Sequence, residues 1–157
     1  MWSQWDAAAD GNLDAIKSRL GSSWTNVNAQ DSDKNTALHE AAKWGHVAIV
    51  EFLAANGADV NLKNKQGQTA LHIAASQGRD DMARSLVKLG CDVNEKDDDG
   101  DTPLITAAGR DQLTTITTLL DLGADKTLKN LRGKDAAALA ASVAATERVK
   151  KGPNKQQ

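Results

Sequence analysis

Short Ala-rich stretches alternate along this chain with longer stretches of Leu, Ile and Val. Between Asp31 and Lys63 the first stretch is Ala37 to Trp44, preceded by Thr36 and closed by Gly45. A Thr hydroxyl accepts from the orphan amides of a first helical turn, and Gly tolerates the left-handed backbone of a helix exit. The pattern predicts a short helix there. Val47, Ile49, Val50, Phe52 and Leu53 then give a second helix a broad apolar face, and Gly57 stops it. Asp59 to Gly67 predicts an extended turn, with Asn64 and Gly67 as turn residues. The unit is turn, helix, tight turn, helix.

This unit recurs. Thr36-Ala37-Leu38-His39 returns as Thr69-Ala70-Leu71-His72 and as Thr102-Pro103-Leu104-Ile105, at a spacing of 33. Gly57, Gly90 and Gly123 keep the same period, as do Asn28, Asn61 and Asn94 and the turn glycines Gly67, Gly100 and Gly133. Independent registers sharing one period define a linear repeat array.

The pattern resembles the ankyrin repeat. The resemblance rests on the Thr-Pro-Leu-His-like motifs and on the exits Gly57-Ala58-Asp59-Val60-Asn61, Gly90-Cys91-Asp92-Val93-Asn94 and Gly123-Ala124-Asp125-Lys126-Thr127. It covers about residues 5 to 142 and implies an all-α repeat solenoid, a stack of helix-turn-helix units carrying β-hairpin-like fingers. An ankyrin-repeat domain is expected over 1–145. It divides into an N-cap repeat at 1–30, full repeats at 31–63, 64–96 and 97–129, and a truncated C-cap repeat at 130–145. Ala7-Ala8 matches Ala41-Ala42 at 34, which puts one inserted residue in the loop from Gly21 to Thr25. Residues 146–157, with Lys150, Lys151 and Lys155, are expected to form a disordered basic tail. Several positions depart from the pattern. Lys34 replaces a finger Gly, which predicts a distorted finger. Asp80 takes an apolar position, Asp111 replaces an inter-helix Gly, and Thr114, Thr115, Thr117 and Thr118 crowd one outer helix with a weak helix former, which predicts a softer C-terminal half. Asp135 stands where Thr would cap.

Composition narrows the function. Of 157 residues, 40% are hydrophobic but only 3% aromatic, so the core must be aliphatic and Ala-rich. A net charge of −2, from 19 basic and 21 acidic side chains, argues against a nucleic-acid binder. Cys91 is the single cysteine, which excludes an intramolecular disulfide and a Cys-rich metal site. There is no apolar run long enough to span a membrane. No secretory signal is expected, and the compartment expected is cytoplasmic, with a nuclear location open.

Little of the sequence invites catalysis. No phosphate loop, nucleophile elbow or HExxH motif occurs. His39 and His72 would come close in a stack, but a zinc site wants three or four ligands and the third motif carries Ile105. The resemblance instead implies that this His ties the helix to finger backbone. Glu95 to Gly100 looks like the start of a calcium loop, yet its twelfth position is Thr106 and lacks the bidentate acid. Cys91 stands at an Ala position and is expected to be a buried filler. Trp5 is expected to act as core in the first unit and Trp2 to shield its open end; Trp24, beside the insertion, is either a second shield or exposed.

A repeat stack offers an extended concave surface rather than an enclosed pocket. The resemblance places there Asp33, Asn35, Glu40, Lys43 and Trp44 of the second unit. Lys65, Gln66, Gln68 and Gln77 of the third follow, then Asp98, Asp99, Asp101 and Arg110 of the fourth. Trp44 is either a docking anchor or a ring lying flat on Lys43, Glu40 or a neighbouring helix. The function implied is a non-enzymatic module that docks another protein as adaptor, scaffold or inhibitor. It is expected to be a monomer, without cofactor, metal, nucleic acid or membrane. The short array also resembles myotrophin-like chains, which implies sequestration of actin-capping protein as an alternative. A nucleic-acid or small-molecule binder is the remote third reading.

Overall fold

The computed structural model describes residues 3–20 and 26–154. The readings made for Trp2, Trp24 and the inserted loop residue lie outside them. Among the described residues there are ten α-helices and no strands, arranged as five helix pairs. The inner row is α1 (Gln4–Ala9), α3 (Ala37–Trp44), α5 (Ala70–Gln77), α7 (Pro103–Gly109) and α9 (Ala136–Leu139). The outer row is α2 (Leu13–Leu20), α4 (Val47–Ala55), α6 (Asp80–Lys88), α8 (Leu113–Asp121) and α10 (Val143–Lys151). Each inner helix packs on the next, and α4, α6, α8 and α10 stack likewise.

Local chemistry starts and stops these helices. Thr36, Thr69 and Thr102 hold extended backbone, and each hydroxyl accepts from the amide three residues on. Asp135 caps α9 in the same way, from Ala138. Gly45 ends α3 at φ 80° and Gly78 ends α5 at φ 69°, both left-handed. Ala7-Ala8, Ala41-Ala42, Ala74-Ala75 and Ala107-Ala108 are fully buried between inner helices. Side chains this small let neighbouring helices approach closely. Ile16, Ile49, Leu53, Leu71, Met82, Leu86, Leu104, Ile116 and Leu119 fill the space between the two rows.

Polar ties then lock unit to unit. The residue before each of α4, α6 and α8 reaches back to the inner helix of the preceding unit. His46 Nε2 meets Ala9 O at 2.9 Å, Arg79 Nε donates to Lys43 O and Gln112 Nε2 to Ser76 O. A second ladder runs at the finger base: Gln30 Nε2 donates to Lys63 O, Lys63 Nζ to Lys96 O and Lys96 Nζ to Lys129 O.

Three expectations need correction. First, the finger containing Lys34 is not distorted. Lys34 adopts φ 60°, close to 75° at Gly67 and 78° at Gly100, and makes the same turn bond, from its N–H to Asp31 O. The turn imposes its shape and Lys34 absorbs the strain. Second, the tail is not disordered from residue 146, and the last unit is not truncated. Helix α10 runs to Lys151, with Ala145 and Val149 buried. Ser142 caps it, Arg148 donates to Thr117 Oγ1 and Lys126 Nζ to Lys150 O. Arg148, Lys150 and Lys151 also suit the negative end of the helix dipole.

Asp80 and two threonines of α8 serve as partners between outer helices. Thr115 Oγ1 donates to Asp80 Oδ1, and Thr118 accepts from Arg84. Asp111, at φ 57°, accepts from the Ser142 hydroxyl. Third, Trp5 is only half-buried and is not core. Its indole N–H donates to Asn35 O at 3.0 Å, a role taken up below.

Candidate functional site

The fingers are built alike. Asp31, Asn64, Asp97 and Asn130 stand at one register, and in each a side-chain oxygen accepts from the amides two and four residues on. Asp and Asn perform this equally, so an acid here closes a turn. Adjacent tips are joined by one backbone bond each: Lys65 N to Asp33 O, Asp98 N to Gln66 O and Leu131 N to Asp99 O. The approach is close enough that a Cβ on Gly67 would sit 2.8 Å from Asp98 N.

Buried rings fasten finger to helix. His39 Nε2 lies 3.0 Å from Gln68 O, and His72 Nε2 lies 2.8 Å from Asp101 O. Each Nδ1 faces the N–H and hydroxyl of the capping Thr, so Nε2 carries the proton and donates to the carbonyl. Burial, foremost, holds both imidazoles below their ordinary pKa. Trp5 repeats the tie in the first unit, with indole in place of imidazole. At the fourth, Ile105 has no donor to offer.

With fingers and inner helices fixed, a groove of about 380 Å3 opens across α3, α5 and α7. Asp33, Glu40 and Lys43 line one end and Arg110 the other. Asn35, Gln66, Gln68 and Gln77 lie between them over Ile73 and Ser76. The period, the capping threonines and the finger ties all agree with one family, and its model, described as ankyrin repeats (3 copies), matches residues 5–97 and 56–130. The chain belongs to the ankyrin-repeat family. Ankyrin repeats are protein–protein interaction modules and typically non-enzymatic. No curated protein matches the chain. Among the described residues, no helix is long and apolar enough to cross a membrane.

The electrostatics of the ankyrin groove are uneven. Glu40 is half-buried, and desolvation pushes its carboxyl above the usual range despite Lys43 nearby. Trp44 is 50% exposed, with Lys43 Nζ 5.4 Å from its ring centroid and its indole close enough to Glu40 to favour the charged carboxylate. It is thus exposed and also laid against both neighbours. Arg110 carries neither an ion pair nor a side-chain hydrogen bond; the two ion pairs among the described residues are Lys63–Glu95 and Arg84–Asp81.

Eight of the sequence-proposed residues come together here: Asp33, Asn35, Glu40, Lys43, Gln66, Gln68, Gln77 and Arg110. Trp44, Lys65, Asp98, Asp99 and Asp101 lie outside the lining. Lys65, Asp98 and Asp99 are exposed at finger tips. Asp97, Asp99 and Asp101 each bring a carboxylate oxygen within 4.8 Å of the others, but Asp97 closes its turn and Asp101 Oδ1 accepts from Asn130. His39, Asn64, Ile73 and Ser76 also line the groove and were not foreseen. Their signal was the 33-residue register itself, because Ile73 stands at the Glu40 position and Ser76 at the Lys43 position. Cys91 is buried, its thiol pushed up to about 12 by desolvation, and it donates to Val60 O.

Proposed function

We propose that this ankyrin-repeat chain is a monomeric docking module that binds a partner protein on its groove and finger tips, as adaptor, scaffold or inhibitor, without catalysing a reaction. The observation that carries the reading is the groove. Polar and charged side chains from three consecutive units converge there on a floor that cross-unit ties hold rigid. A surface held rigid before binding loses little further freedom on association. Trp44, half-exposed beside Lys43, adds an aromatic rim of the kind that anchors interfaces.

Affinity capture from cells of the source, comparing wild type with Trp44→Ala, Arg110→Ala and the outer-helix variant Lys88→Ala, tests this. A partner lost with the first two and kept with the third supports groove docking. A partner kept by the first two and lost with Lys88→Ala moves the site to the outer helices. Light scattering that shows a dimer would overturn the monomer. Sequestration of actin-capping protein rests on a shared plan general to the family, and no feature of the groove favours it.

A further inference from the structure

The charges lining the groove are segregated along the array. The α3 end carries two carboxylates, Asp33 and Glu40. The one cation there, Lys43, directs its ammonium over the Trp44 ring. The α7 end carries Arg110, which has no ion-pair or hydrogen-bond partner for its side chain among the described residues. Between them Gln66 and Gln77 expose carboxamides that make no side-chain hydrogen bond. A carboxamide has one donor and one acceptor face, the same pair a peptide group presents.

Resting on the docking reading above, we infer that the groove takes an extended peptide segment of a partner, with a Lys or Arg seated against Asp33 and Glu40 and an Asp or Glu against Arg110. Helix α5 packs between α3 and α7. Two interaxial distances of about 8–10 Å each therefore set Glu40 on α3 apart from the α7 end by roughly 16–20 Å across the array. Extended chain rises about 3.3 Å per residue, so the two charges in the ligand are separated by about five residues. The backbone between them meets Gln66 and Gln77. Opposite charges at the two ends select against segments of a single sign.

The test titrates the isotope-labelled full chain with three capped peptides of equal length. Their terminal charges are Lys and Glu, Lys and Lys, or Glu and Glu, separated by about five Ser, Thr and Gly residues. Wild type is expected to bind the mixed peptide about tenfold more tightly than either single-sign peptide, with amide shifts in α3, α5 and α7. Arg110→Glu is expected to reverse this, preferring the Lys and Lys peptide by about tenfold. Arg110 is exposed and unpaired, so the variant keeps the fold, which circular dichroism checks. Equal affinities with shifts in the groove overturn the charge pattern and leave groove docking standing. Shifts on α4 and α6 overturn both. No shift with any peptide overturns the peptide ligand, and groove docking is then judged by the capture comparison alone.

Discussion

Acidification through pH 6.5 should destabilise this protein. His39 and His72 are 1% and 0% exposed, and each holds a neutral ring whose two nitrogens are both engaged. A proton added at Nδ1 would face the N–H of Thr36 or Thr69. Both folded-state pKa values therefore lie below 6.5. The unfolded chain then binds more protons than the folded one as pH falls through 6.5, so stability is complete above that value and is lost below it. Each proton is worth about 1.4 kcal/mol per pH unit, which sets a ceiling of about 2.7 kcal/mol for the two rings between pH 7.5 and 5.5. Burial raises Glu40 and Asp97, whose contribution has the opposite sign, so the two-ring figure stands as a ceiling. Urea midpoints by circular dichroism at pH 7.5, 6.5 and 5.5 measure the effect. His72→Ile, which copies the residue at Ile105, should halve the slope while lowering stability at every pH. A midpoint that stays flat down to pH 5.5, or a slope unchanged in His72→Ile, would falsify the two-ring account.

Other outcomes follow from single contacts. Lys34→Gly should stabilise the chain by about 0.5–1 kcal/mol, since relief of a left-handed side chain, about 1–2 kcal/mol, exceeds the added flexibility of Gly. Asp111→Gly should gain nothing, because it also removes the acceptor of the Ser142 hydroxyl; the two urea midpoints compare them directly. Thr115→Val should cost about 1.5–3 kcal/mol in urea unfolding by taking the hydroxyl from Asp80. Cys91 should resist a thiol reagent at pH 8 in the native state and react at once in denaturant, and prompt native labelling would contradict its burial.

Much of the fold was legible because its signals are local. A capping Thr speaks to an amide three residues away, and a helix-ending Gly needs only its own φ. The 33-residue period followed from repeating such signals. The groove was partly legible for the same reason: eight proposed residues line it, because a register in one unit predicts the face in the next. Trp44, the last residue of α3, and the acidic tip of the fourth unit did not join them. Helix α10 escaped notice because its sequence is polar, and only Ala145 and Val149 show its buried stripe.

By itself the sequence determined the repeat, the helix ends and the Ala-rich inner row. Each of these depends on residues a few positions apart. Tertiary structure alone decided that Trp5 would stand in for His and that Thr115 would answer Asp80. Those partners lie about one repeat apart and meet only once the stack has formed. The unpaired Arg110 facing two carboxylates across the groove belongs to the same class. No single unit contains that arrangement, because three units must stack to make it.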